Sequence, residues 1–206
     1  MKLTKSLFVS AVLFLSATGA QAAGFVQNGN YLTVQLKQHQ NYGPSQIRLQ
    51  VVSDRIIRVQ ATAEQGFRSK QSLIIVPQNS KAQYKVEEQG DDLIITTAAM
   101  RAVLNEATGQ ITFYDLKDQV LLKEVAQGGK TFKPFTVPDR EIGVDIAKVP
   151  EAQKHGWSWR ALFDSPDNEA FYGLGQHQSE ELNMKGKNED LFQYNTKVSV
   201  PFVISN

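Results

Sequence analysis

The chain has no cysteine among its 206 residues. Disulfide staples and thiolate metal sites are thereby excluded, and stability has to come from a packed core. Histidine is scarce too: His39, His155 and His177 are all there are, and no two stand in an HxH or HExxH spacing, so the sequence offers no zinc site. No GxSxG elbow occurs. The GxG at Gly173 and Gly175 lacks the third glycine and the helical continuation of a dinucleotide fingerprint, and no cofactor is expected. An excess of positive charge is also missing. The 22 Lys and Arg residues are scattered among 21 Asp and Glu residues and form no basic stripe able to neutralise phosphates, which excludes nucleic acid as a partner. No apolar run reaches the roughly 20 residues of a stable membrane span.

What is present begins with an export signal. Lys2 and Lys5 precede the apolar run at 7–15, LFVSAVLFL, and Ala20-Gln21-Ala22 supplies a small-residue processing site ahead of Ala23. Residues 1–22 are therefore expected to be removed, which sends the product to the periplasm or beyond the cell. Losing 22 of 206 residues leaves 184, enough for one domain with its own core over 23–206. Losing Lys2 and Lys5 leaves 20 basic against 21 acidic residues, a formal charge of −1.

The mature region reads as one short strand after another. Residues 31–36 and 46–51 alternate apolar and polar side chains as half-buried strands do, and Ser53-Asp54 turns the chain into a partner at 55–60. Leu73 to Val76 is a short apolar run stopped by Pro77. Alternation resumes at Tyr84-Lys85-Val86, and Gly90-Asp91-Asp92 turns the chain into 93–97. Segments 101–105, 110–114 and 120–122 follow, separated by Ala107-Thr108-Gly109 and by 115–119. Strand spacing of about 8 to 12 residues with a turn signal at each end predicts an antiparallel meander, and an all-β sandwich or barrel. No segment after the signal keeps a 3.6-residue apolar period for three turns.

Residues 127–138 are polar and broken by Gly and Pro, and read as an excursion between sheets. Strand character is expected again at 142–146 and at 157–163, where Trp157, Trp159, Ala161 and Phe163 would share one face. Two indoles at that spacing serve most simply as buried area, and alternatively as a sugar-stacking platform. Gly173 and Gly175 supply backbone freedom after a strand, so that Gln176 and His177 are carried into a structural loop. The acidic pairs Glu180-Glu181 and Glu189-Asp190 read as solvated loop charges, and no catalytic pair can be chosen among the acids. The final run Phe202-Val203-Ile204-Ser205-Asn206 reads as a buried strand, so the segment is expected to be cut from a longer chain near the start of its next region.

The last 36 residues carry a specific resemblance. FYGLGQH, LNMKG and LFQYNTKVSVPFVISN resemble the end of the amino-terminal β-sandwich of glycoside hydrolase family 31, the α-glucosidase and α-xylosidase family. RAVLNEATGQITFYDLKDQVLLKE and WSWRALFDSPDNEAFYGLG are similar to earlier parts of the same domain. The resemblance implies a galactose-mutarotase-like antiparallel sandwich with long loops, followed in the intact chain by a (β/α)8 barrel that bears the two catalytic aspartates. It implies a retaining, exo-acting enzyme on oligosaccharides with α-linked xylose or glucose, and no catalytic residue in this segment.

The family also implies that a loop of the sandwich reaches the barrel mouth and touches substrate beyond the cleaved bond. Many α-glucosidases carry an Asp-Thr pair there, where this sequence has Asn195-Thr196. An amide both donates to and accepts from sugar hydroxyls, whereas a carboxylate only accepts. That departure and the FQYNTKVSVPF wording favour an α-xylosidase over an α-glucosidase. A free-standing carbohydrate-binding module built on Trp157 or Trp159 is the reading from another class.

Overall fold

The computed structural model describes residues 24–37, 41–68, 75–76, 81–127, 129–137, 145–178 and 181–206. The expected export signal at 1–22 and most of the expected strands at 73–76 and 142–146 lie outside them. Ile75 and Val76 are not in a strand, and Ile146 opens a 3-10 turn, Ile146–Lys148.

Four strands form the first sheet in sequence order: β1 (Phe25–Asn28), β2 (Tyr31–Gln35), β3 (Gln46–Ser53) and β4 (Ile56–Thr62), all antiparallel. The alternation seen in the sequence fixes their register, because a one-residue slip would turn every apolar side chain outward. Leu32 stands opposite Leu49, Val34 opposite Ile47, and Leu49 in turn opposite Val59. Five further strands form the second sheet: β5 (Lys85–Gln89), β6 (Asp92–Thr96), β7 (Arg101–Asn105), β8 (Ile111–Tyr114) and β9 (Val120–Lys123). Here Leu93 faces Leu104, and Leu104 faces Ile111.

One core joins the two sheets. Leu32, Val34, Ile47, Leu49 and Val51 from the first are fully buried together with Leu93, Ile95, Ala102, Leu104 and Ile111 from the second. Full burial of each large aliphatic side chain contributes roughly 1.5–3 kcal/mol. Polar contacts tie the sheets at their rims. The Thr97 hydroxyl donates to the Asp54 carbonyl at 2.7 Å, and the Lys37 ammonium lies 2.8 Å from Asp91 and 2.9 Å from Glu106.

Two ribbons extend from this body. β10 (Lys130–Thr136) pairs with β11 (His155–Ala161), and β12 (Phe171–Gln176) pairs with β13 (Val198–Ser205). The polar stretch at 127–138, expected to be an excursion between sheets, thus contains a strand. Proline is tolerated there because β10 has a single partner. The Phe132 amide points away from β11 to the Tyr42 carbonyl, so position 134, two residues on, turns its missing N–H to the same side, where β10 has no partner strand. The run expected to be a buried strand at the end of the chain is β13, and most of its side chains are exposed. Among the described residues no further layer covers that ribbon.

At the root of the first ribbon the Lys130 ammonium is buried against the Glu124 carboxylate. Glu124 also accepts the Ile111 amide at 2.9 Å, and Lys130 also donates to the Gly109 carbonyl at 3.1 Å. Burial pulls the Lys130 pKa below its ordinary value, outweighing the attraction of Glu124.

Candidate functional site

Gly173, Gly175 and Gln176, expected in a loop after a strand, lie within β12 itself. The register of β12 on β13 shifts between Gly173 and Gly175, and residues 173, 174 and 175 have φ of 122°, 65° and 105°. This is a bulge held by close backbone approach. A Cβ on Gly173 would stand 2.5 Å from the Phe202 carbonyl oxygen, and one on Gly175 would stand 2.0 Å from that of Val198.

The bulge aims the Leu174 carbonyl at His177, whose Nε2 donates to it at 2.7 Å. The other ring nitrogen, Nδ1, lies 2.9 Å from Glu189 Oε1, at an angle too oblique for a directed hydrogen bond. Lys197 completes the cluster with its ammonium 3.4 Å from the same carboxylate oxygen. Glu189, read from the sequence as a solvated charge, is instead mostly buried as the common partner of His177 and Lys197.

This cluster anchors the base of the connection between β12 and β13. The Lys197 amide donates to the Tyr194 carbonyl at 2.8 Å and closes a turn whose two central residues are Asn195 and Thr196. Both are exposed. The loop is also pinned to β12, since Asn183 Oδ1 accepts the Phe171 amide at 3.0 Å and the Met184 amide donates to the Phe171 carbonyl at 2.8 Å. An amide and a hydroxyl are thereby presented to solvent on a turn rooted in paired strands, able to donate to and accept from a polyol.

Beside the turn, Phe192 and Tyr194 place their ring centroids 6.0 Å apart, and the Lys197 ammonium stands 5.9 Å from the Tyr194 centroid. Both rings are more than half exposed. Sequence reading passed over this pair, although its i, i+2 spacing in Phe192-Gln193-Tyr194 was the available signal.

A second concave surface lies between β4 and the first ribbon. Val59, Ala61, Phe132, Trp159, Ala161 and Phe163 line a groove of about 450 Å³ with the Lys130–Glu124 pair at its floor. Trp159, Ala161 and Phe163 do share the face expected of them. Trp159 is 68% exposed, and Trp157 lies over an adjoining hollow with Glu64, whose carboxyl is held below the usual range by Arg68 first and then by the Trp157 indole N–H. Among the described residues no group of three or more metal-ligating side chains converges.

The comparisons with known proteins agree with this architecture. The family model of the glycosyl hydrolase 31 N-terminal galactose mutarotase-like domain matches residues 46–206. The crystal structure of a glycoside hydrolase family 31 α-xylosidase from Xanthomonas citri superposes with a TM-score of 0.72 and 34% identity, covering 87% of this chain and 18% of that one. A family 31 α-xylosidase from a soil metagenome, solved with xylose, gives 0.63 and 25% over 88% of this chain and 26% of its own. An uncharacterized family 31 glucosidase of Pseudescherichia vulneris is 26% identical over 169 residues, which are 78% of this chain and 31% of the relative. An α-xylosidase of Saccharolobus solfataricus is 22% identical over 174 residues, or 80% of this chain and 21% of the relative. The chain thus spans under a third of the length of these relatives. By a model that matches most of its residues and by a fold shared with solved members, the chain belongs to glycoside hydrolase family 31, as the galactose-mutarotase-like sandwich of that family's amino-terminal region.

Proposed function

We propose that this chain is the amino-terminal sandwich of an exported, retaining, exo-acting α-glycoside hydrolase that releases α-linked xylose from oligosaccharides, and that it holds Asn195 and Thr196 at the mouth of a (β/α)8 catalytic domain of the same chain. The observation that carries the choice of sugar is the 34% identity to the Xanthomonas citri α-xylosidase, above the 26% to the family 31 glucosidase relative. The role of the turn is supported by its build. Asn195 and Thr196 are exposed, yet the strands and the His177–Glu189–Lys197 cluster fix their base. Ordering cost on binding is then already met in the free protein. Removal of residues 1–22 and delivery to the periplasm or medium complete the reading.

The test is hydrolysis of aryl α-xyloside and aryl α-glucoside by the longer chain that carries this segment. A kcat/KM at least tenfold higher for the xyloside is expected, and residues 23–206 alone should turn over neither. A preference for the glucoside would overturn the choice of sugar. A relative of 26% identity bears the glucosidase name, and this specific observation keeps α-glucosidase as the second reading.

A further inference from the structure

Glu106 sits just after β7, where its amide donates to the Asp91 carbonyl at 2.7 Å and its carbonyl accepts the Lys37 amide at 3.0 Å. Its side chain is almost fully buried. One carboxylate oxygen, Oε2, lies 2.9 Å from the Lys37 ammonium, while the other, Oε1, is buried with no hydrogen-bond partner. A buried carboxylate oxygen left without a donor is destabilising, so the position calls for one.

That oxygen is aimed at the start of the domain. A Cβ on Gly24 would stand 2.5 Å from both Glu106 oxygens, so the backbone here is packed directly on the carboxylate. The Gly24 amide donates at 2.7 Å to Oε1 of Glu88, an exposed residue of β5. Charged groups are linked here through Gly24 and Lys37: Glu88 on β5 accepts the Gly24 amide, Glu106 after β7 packs against Gly24, and Lys37 after β2 joins Glu106 to Asp91 in the turn after β5. Three carboxylates and one ammonium sum to −2. The chemistry that fits is a second ammonium with several N–H donors and no bulk behind it.

We infer that the missing cation is the α-ammonium released when the export signal is cleaved after Ala22, and that Glu106 and Glu88 form a seat for the new amino terminus. Ala23 precedes Gly24 by one peptide unit, which keeps its nitrogen within about 5 Å of the Gly24 Cα at any torsion. In the uncleaved chain the same nitrogen is a neutral amide with one donor. Processing therefore supplies both the charge and the additional hydrogen-bond donors, and the mature fold gains an anchor that its precursor lacks. The inference rests on cleavage after Ala22, and it is independent of the sugar specificity.

Two measurements separate the parts. Mass spectrometry of the exported protein reads the cleavage point, with Ala23 expected as the first residue. A different first residue removes the ligand and overturns the inference, whatever the stability data show. The seat itself is tested on chains made with Ala23 as first residue, either free or acetylated at the α-nitrogen. At pH 6 and low salt the free form should melt about 3 °C higher than the acetylated form. An α-ammonium that gains carboxylate partners has its pKa raised above the usual 7.7–8.0, so its stabilisation is complete below that range and is lost as pH rises through the folded value. The difference should vanish by about pH 10. Glu106→Gln should abolish it at pH 6 as well. Equal melting of free and acetylated chains at pH 6 overturns the seat, and that comparison needs no substitution that could impair folding.

Discussion

The Val198 carbonyl oxygen lies 2.0 Å from the place a Cβ on Gly175 would occupy. β12 and β13 meet there without room for any side chain, at a residue whose φ is 105°. Gly175→Ala is therefore expected to destabilise the second ribbon by at least about 3 kcal/mol, from backbone strain and steric overlap together. Hydrogen exchange should show lost protection at Tyr172 and Ile204, which stand opposite each other, while Leu49 and Leu104 remain protected. Gly90→Ala provides the contrast, because that glycine also has positive φ but no atom near its missing Cβ. A cost of about 1 kcal/mol is expected there.

Replacing His177 by Phe keeps a ring of similar shape and removes the Nε2 donor. The Leu174 carbonyl then loses its partner and Glu189 is left with Lys197 alone. A loss of about 1–3 kcal/mol is expected, readable as a lower urea midpoint with unchanged slope. In the longer enzyme proposed above the same change should raise KM more than it lowers kcat, because it loosens the turn assigned there to substrate contact and leaves the bond that breaks untouched.

Asn195→Ala and Thr196→Ala should leave the melting temperature unchanged, since both side chains are exposed on a turn closed by backbone. In the proposed longer enzyme each should raise KM by about 5- to 10-fold, the equivalent of one lost hydrogen bond of roughly 1 kcal/mol. Asn195→Asp removes the donors and keeps the acceptors. Its effect should differ between xyloside and glucoside substrates, and steady-state kinetics on both would show it.

Lys130 supplies a pH prediction. Its pKa lies below the ordinary 10.5 because burial disfavours the ammonium. Between the folded value and 10.5 the unfolded chain binds more protons than the folded one, so this residue makes stability rise with pH in that window. Glu124→Gln removes the attraction that opposes the shift. It should cost about 3–5 kcal/mol at pH 7 by stranding a buried cation, and part of that loss should return by pH 10. Denaturant melts at the two pH values give the comparison, with Lys130→Met as the variant in which the recovery is absent.

Much of the sandwich was legible because alternation and burial agree over 46–51 and 93–95, where every second side chain enters the core. β10 was not legible, because Gly128 and Gly129 ahead of it and Pro134 within it are ordinary loop signals in the sequence, and only a single-partner strand can absorb the proline. The glycines of β12 were read for their freedom and not for their closeness. Nothing local in Gly173-Leu174-Gly175 announces that β13 will press against them from 23 or more residues away. The site divides in the same way. Asn195 and Thr196 came from a motif, whereas the burial of Glu189 between His177 and Lys197 depends on contacts across the loop that no spacing encodes.

The proline at 134 has a consequence for the molecule in company with its own copies. β10 ends a two-stranded ribbon bearing exposed Trp159 and Phe135, the kind of apolar border to which a stray strand can zip. Midway along that border the donor such a strand would seek is absent, so edge-to-edge growth into stacked fibrils is interrupted at its first few rungs.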